Sequence, residues 1–176
     1  MNTLPAALSL EHAWEVLQTV LDPEVPVVSI CELGIVRKVQ LTGEQGVEVL
    51  LTPTYSGCPA TELIATETGN ALAKAGFDPV NLSIQHAPAW TTDWISEAGR
   101  EKLRNYGIVP PGPVQANQEI VLRFMPQGKL QAAPALDCPR CGSSNTERLS
   151  AFGSTACKAL YRCLACQEPF EHFKPL

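Results

Sequence analysis

Leu51-Thr-Pro-Thr-Tyr-Ser-Gly-Cys-Pro-Ala-Thr-Glu-Leu-Ile64 passes from one kind of element to another within a few residues. Its start closes an apolar run, Val47-Glu-Val-Leu-Leu51, of strand character. Pro53, Ser56 and Gly57 are turn residues, and the apolar residues beyond them recur at helical spacing. Pro59 is expected at the first helical position, where its missing N–H costs nothing. That puts Cys58 at or next to the N-cap, with orphan backbone N–H groups aimed at its sulfur. A helix start favours negative charge, so this thiol has reason to ionise below its free value of about 8.5. The plainer reading, a small buried cap residue, stands beside that one.

Upstream, Leu10, Ala13, Trp14, Leu17 and Leu21 form one face of a helix expected from Leu10 to Leu21. Ser9 is its N-cap, Glu11 lies in its first turn, and Asp22-Pro-Glu-Val-Pro26 stops it. Trp14 reads as core, and His12 lies off the apolar face. Val27–Gly34 leads as an extended or single-turn segment into a hairpin of Ile35–Leu41 and Val47–Leu51, with the turn at Gly43–Gly46. Cys31 reads as a packed thiol.

Downstream, the helix after Cys58 is expected to reach Ala75, on the period of Leu63, Ile64, Glu67, Ala71 and Leu72, with Gly76 at C′. Val80–Gln85 alternates as a third strand, and His86 ends it. The order helix, hairpin, helix, strand gives a two-layer α+β fold, a small mixed sheet with helices mainly on one side. Trp90 and Trp94 either line a binding surface or clamp a short loop onto the sheet, and the clamp is favoured. A last helix runs from Glu97 to Tyr106, capped by Ser96 or Thr92 and closed by Gly107. Pro110-Pro-Gly-Pro113 marks a domain boundary. Residues 1–109 thus form one domain, 110–134 a Pro/Gly-rich linker with a possible strand at Glu119–Phe124, and 135–176 a small C-terminal unit.

The net charge of −5 and a pI near 5.2 argue against a general grip on nucleic acid or anionic lipid. The chain opens on no signal segment and holds no apolar run of about 20 residues, so the cytoplasm is the expected location. Five of the seven cysteines crowd into the stretch after Asp137. In a reducing compartment such a cluster points to metal.

Cys138-Pro-Arg-Cys141 and Cys163-Leu-Ala-Cys166 are two C-x-x-C pairs, each able to turn two sulfurs onto one point. Four thiolates satisfy a tetrahedral ion, and zinc, without redox chemistry, is the default for a closed structural site. So small a unit buries little apolar surface, so the metal would supply most of its folding free energy. Cys157 is either a core thiol or a second reactive position, and both readings stay open. His172 is a possible substitute ligand, but four sulfurs already fill the shell. Arg140, Arg148, Lys158, Arg162 and Lys174 are nearly balanced by Asp137, Glu147, Glu168 and Glu171, which favours a protein-docking ribbon over a nucleic-acid one.

Asp22-Pro-Glu-Val-Pro26, Glu32-Leu-Gly34, Thr52-Pro-Thr-Tyr-Ser-Gly-Cys58-Pro59 and Trp90-Thr-Thr-Asp-Trp-Ile-Ser96 together resemble the iron–sulfur assembly domain family that includes SufT. The ribbon sequence Phe152-Gly-Ser-Thr-Ala-Cys-Lys-Ala-Leu-Tyr-Arg-Cys163 narrows the resemblance to members grouped with the phenylacetyl-CoA epoxidase of phenylacetate catabolism. The likeness spans about residues 9 to 172. Two departures stand out: Pro175-Leu176 where a further cysteine is common, and Gln167 where a glycine is common. The resemblance implies that Cys58 is the functional thiol for cluster handling, with Asp22 and Glu24 nearby and Thr52 in support. It implies a non-catalytic maturation factor that assists iron–sulfur cluster assembly or delivery to the epoxidase reductase subunit. A scaffold subunit docking through its zinc ribbon is the alternative. Implied partners are the reductase and oxygenase subunits or iron–sulfur assembly proteins, with a homodimer open and a transient iron–sulfur cluster as cargo. No paired Glu-x-x-His motif and no Gly-rich nucleotide loop is present, so oxygen chemistry belongs to partners.

Overall fold

A computed structural model of the chain describes residues 8–112 and 135–175. It divides into two compact units, Met1–Leu103 and Arg104–Leu176. The strand expected at Glu119–Phe124, and the linker from residue 113 onward, lie outside the described residues.

In the first unit, α1 (Leu10–Gln18) starts as its sequence dictates, with Ser9 Oγ accepting from His12 N at 3.1 Å. Ala13 and Leu17, one turn apart, are buried, and Trp14 is half-buried. The helix ends before the expected Leu21: Thr19 is the C-cap, its hydroxyl donating to Val16 O. Long-range pairing takes over there, since Asp22 N donates to Val28 O and Ile30 N to Val20 O. Leu21 is thereby drawn into a bridge with Ser29 and left exposed.

The hairpin forms as expected from β1 (Val36–Thr42) and β2 (Gly46–Leu51), antiparallel. After α2 (Thr61–Lys74) the chain returns as β3 (Val80–Ile84), parallel to β2, giving the order β1-β2-β3. Val39, Val49 and Leu82 are in register on the inner face, while Gln40, Glu48 and Asn81 line the outer one. This period-two division is what a sheet covered on one side requires. Leu17, Ile30, Leu51, Leu72 and Phe77 fill the space between helices and sheet. Leu63, expected on the apolar face of α2, is exposed, and Thr68 takes a buried place instead. Its hydroxyl bonds to Ile64 O at 2.7 Å, which satisfies the polar group inside the helix. Ile84, at the end of an edge strand, is likewise more exposed than the alternation implies.

Glu32-Leu-Gly34 and Trp90–Ser96 are far apart in the sequence, and the fold docks one on the other. Ser29 Oγ accepts from Glu32 N, and Glu32 Oε2 accepts from Ser29 N at 2.8 Å, a reciprocal capping box. Trp90 Nε1 donates to Leu33 O at 2.9 Å, Ser96 N to Glu32 O at 2.9 Å, and Lys102 Nζ pairs with Glu32 at 2.7 Å. Gly34 has φ +69, and a Cβ there would collide with Trp94. The Arg37 guanidinium lies 3.5 Å over the Trp94 ring. The tryptophans therefore act as a clamp, leading through a 3₁₀ turn (Thr92–Trp94) into α3 (Glu97–Tyr106).

The second unit is a four-stranded mixed sheet. Strands β4 (Ile108–Val109), β5 (Thr146–Ser150), β6 (Lys158–Cys163) and β7 (Pro169–Phe173) lie in the order β4-β7-β6-β5. Within this sheet β4 runs parallel to β7, and the other pairs are antiparallel. Cys138, Ala159, Tyr161, Cys163 and Phe170 are its buried cluster. Among the described residues no helix is long and apolar enough to cross a membrane.

Candidate functional site

Cys58 sits where the chain leaves β2. Thr52, buried, donates its N–H to Ile35 O, and the strand end at Leu51 lies beside the end of the parallel β3, where Gln85 N bonds Leu51 O. Loops beyond the carboxyl ends of parallel strands are where α/β folds commonly build sites. Cys58 N donates to Tyr55 O, and Thr61 N to Cys58 O, both at 3.2 Å. These bonds make the correction to the expected cap. The N-cap is Ala60, Pro59 lies in the turn ahead of the helix, and Cys58 comes two residues before the cap. The N–H of Thr61 is spent on the carbonyl of Cys58, and among the described residues no N–H donates to its sulfur. The thiol itself is half-buried.

Asp22 Oδ1 accepts from Glu24 N at 3.0 Å and Val25 N at 2.8 Å, so this buried carboxylate holds the proline turn closed. Asp22 also lines a groove of about 850 Å³ between α1 and α2, opposite Glu67, Asn70, Ala71 and Lys74. Cys58 is not in its wall. Asp22 thus faces the second half of α2, whereas Cys58 precedes its first turn. Cys31 is half-buried, and burial, with the neighbouring Glu32 charge, pushes its thiol up to about 12. It is an inert packing thiol.

In the second unit the β5–β6 pairing sets Thr146 against Cys163, which brings the two C-x-x-C turns to one end of the sheet. The sulfurs of Cys138, Cys141, Cys163 and Cys166 all lie within 4.8 Å of one another. Cys138 and Cys166 are 3.8 Å apart, and Cys141 and Cys163 3.6 Å. A tetrahedral zinc with bonds of about 2.3 Å needs sulfurs roughly 3.8 Å apart, so the donor set fits zinc in number, chemistry and spacing. The turns repeat one backbone pattern: Cys138 N bonds Ser143 O at 2.9 Å, and Cys163 N bonds Glu168 O at 3.0 Å. Arg140 N and Cys166 N point at the sulfurs of Cys138 and Cys163. The Cys166 N–H draws the Cys163 thiol down to about 7, while Cys141 and Cys166 are pushed up, Cys166 to about 12, as the crowded sulfurs share their protons. His172 stands outside the group, buried with its ring edge-on to Tyr161. Cys157 is also outside it, buried, with the Thr155 hydroxyl 2.9 Å from its sulfur.

Two partnerships were not anticipated from the sequence. Ser29-x-x-Glu32 is a capping-box pattern legible in the chain, and Lys158 pairs with Glu171 at 3.0 Å while almost fully buried. The second leaves no local signal, because the partners come from different strands.

Family models match residues 10–78 as an iron–sulfur cluster assembly protein and residues 125–174 as a PaaD zinc beta ribbon domain. A curated protein of Escherichia coli (strain K12), a component of a "Putative 1,2-phenylacetyl-CoA epoxidase", is 47% identical over 165 residues, covering 94% of this chain and 92% of that one. The chain belongs to the PaaD family. The PaaD-type ribbon follows a domain with a wider kinship. An "Fe-S protein maturation auxiliary factor" of Porphyromonas gingivalis (strain ATCC BAA-308 / W83) is 31% identical over 94 residues, covering 53% of this chain and 89% of that one. The crystal structure of a domain of unknown function, DUF59, from Bacillus anthracis matches with TM-score 0.50 and 23% identity, over 53% of this chain and 89% of that one. That likeness concerns the fold alone. Within the PaaD family, this chain thus joins an assembly-type α+β domain to a four-cysteine ribbon.

Proposed function

We propose that the protein is a non-catalytic accessory factor that assists iron–sulfur cluster assembly or delivery for a phenylacetyl-CoA epoxidase, with Cys58 as the thiol that meets the cluster or its client. The observation that carries this is the placing of Cys58. It is a half-buried thiol on a short turn, at the strand ends of a domain related to a maturation auxiliary factor. Thiolates are the soft ligands such clusters take. One thiol cannot enclose a cluster, so client or a second chain supplies the remaining ligands. Asp22, Glu24 and Thr52 support the site by fixing the surrounding backbone. Cys138, Cys141, Cys163 and Cys166 would hold zinc, whose role there is to fold the ribbon.

The test is Cys58→Ser co-expressed with the epoxidase reductase. Cluster content of the purified reductase is expected to fall severalfold. Full occupancy with full epoxidase activity would leave the scaffold reading, in which the protein acts only as a docked subunit.

A further inference from the structure

Cys141 and Cys163 stand 22 residues apart in the chain, yet their sulfurs meet. The backbone bonds inside each C-x-x-C turn, such as Gly142 N to Cys138 O at 2.8 Å and Cys163 N to Glu168 O at 3.0 Å, shape that turn alone. They do not set one turn opposite the other. That is done by two adjacent residues, Asn145 and Thr146, where β5 begins. Asn145 O accepts from Leu164 N at 2.8 Å, and Thr146 is the register partner of Cys163. The second turn is therefore held to β5 by backbone.

The first turn is held by a side chain. Thr146 Oγ1 accepts from Leu136 N at 3.1 Å and donates to Leu136 O at 2.8 Å. One hydroxyl thus satisfies both backbone groups of Leu136 and closes the base of the loop that carries Cys138 and Cys141. The Leu136 side chain packs against the buried cluster that contains Cys138 and Cys163. The clasp accordingly seats the chain on the core two residues ahead of the first sulfur. A backbone tie survives a change of side chain, whereas this one needs a hydroxyl, which both donates and accepts. Removing it would strand a half-buried N–H and C=O together.

We propose that Thr146 is a positioning residue of the metal site, its hydroxyl setting the Cys138 and Cys141 sulfurs at the angle from which they close on the ion with Cys163 and Cys166. The proposal rests on the reading that these sulfurs hold zinc. Groups outside a ligand shell orient the ligands, and losing one commonly costs about 10–100-fold in metal affinity.

The experiment uses the full chain loaded with zinc, or with cobalt(II) as a coloured substitute, and titrated with a competing chelator. Thr146→Val keeps the branched shape a strand favours and removes only the hydroxyl. It is expected to bind zinc about tenfold more weakly. At saturating cobalt its visible d–d bands should also be displaced, because the sulfur geometry changes. Thr146→Ser restores the hydroxyl and should return both readings to those of the unchanged protein. Glu147→Gln, next along β5, loses an exposed pair with Arg162 and controls for general weakening of the sheet, so both readings should stay put. Cobalt bands of Thr146→Val that coincide with the unchanged protein's at saturation would reduce Thr146 to a stabiliser of the strand and overturn the proposal. Undiminished zinc affinity in Thr146→Val, no recovery in Thr146→Ser, or equal loss in Glu147→Gln would do the same. Should Thr146→Val not fold, amide exchange in the unchanged zinc protein decides: the Leu136 N–H is expected to be protected, and exchange at the rate of open backbone would sink the clasp. If the unchanged protein takes up no zinc, the zinc reading falls and the proposal with it. If it takes up zinc and Thr146→Val matches it, the zinc reading stands and only the positioning role is lost.

Discussion

The two compact units of this chain solve the folding problem by different means. The first encloses Leu17, Ile30, Leu51, Leu72 and Phe77, each nearly inaccessible to water, between two helices and a sheet. The second gathers Cys138, Ala159, Tyr161, Cys163 and Phe170, and two of those five belong to the sulfur cluster. Without the ion those two are free thiols beside Ala159, Tyr161 and Phe170, with Val109 and Leu136 packed against them and Ile108 and Phe173 buried nearby in the sheet, a smaller core than the first unit's. Burial therefore accounts for the first unit, and metal coordination has to account for the second.

The strongest way to break that contrast is to remove the metal. Structural zinc contributes about 10–16 kcal/mol of apparent binding free energy at pH 7, more than so small a sheet can supply. Chelation, or Cys138→Ser, is expected to abolish amide protection in β6 and β7 while β2 and α2 stay protected. Hydrogen exchange read by mass spectrometry checks it. Protection in β6 that survives full zinc removal would show that the second unit has a core of its own.

Among the described residues each unit also carries one Lys–Glu pair, which sharpens the contrast. Lys102 is 48% exposed beside Glu32, whereas Lys158 is 3% exposed beside Glu171. Lys158→Met should cost about 3 kcal/mol, because it strands a partly buried carboxylate. Lys102→Met should cost less than about 1 kcal/mol. Burial works to raise both carboxyls, but hydrogen bonds and the ammonium partners outweigh it and hold Glu32 and Glu171 below the usual range. A folded-state value below the unfolded one stabilises at pH above the unfolded value and is lost as pH falls through the folded value. The deficit of either variant should therefore be full near neutrality and shrink on acidification below about 4, as the carboxyl protonates. Denaturation midpoints against pH measure this, and a deficit that grows in acid would reverse the sign.

What the sequence disclosed follows the same division. The C-x-x-C pairs are short-range patterns whose chemistry leaves one answer, and the structure closes four sulfurs on one point. The hairpin, α2 and the Ser9 cap were equally local. Cys58 stands two residues ahead of the cap rather than at or next to it, because Pro59 suits a pre-helical turn as well as a first helical position, and the Thr61-to-Cys58 backbone bond decides between them. The expected nearness of Asp22 to Cys58 came from a resemblance; what the structure adds is that Asp22 closes its own proline turn and lines the groove beside the second half of α2.

The smallest effect concerns the two turns of the sulfur cluster, which share a backbone hydrogen bond and differ at the residue after the second cysteine. Gly142 has φ +73, and Gln167 occupies the corresponding place with φ +66, where a side chain is disfavoured by about 1–2 kcal/mol. Part of that cost is offset, since Gln167 Nε2 donates to Leu164 O at 2.9 Å and a glycine would add disorder to the unfolded chain. Gln167→Gly should therefore raise stability by only about 0.5–1 kcal/mol. The reciprocal change isolates the backbone contribution: a Cβ at Gly142 meets nothing within 4 Å, so Gly142→Ala costs dihedral strain alone, about 1 kcal/mol. Zinc-release rates under a competing chelator would read both, slower for Gln167→Gly and faster for Gly142→Ala. If Gln167→Gly instead sheds zinc faster, the side-chain bond to Leu164 outweighs the strain, and the second turn is held by its glutamine.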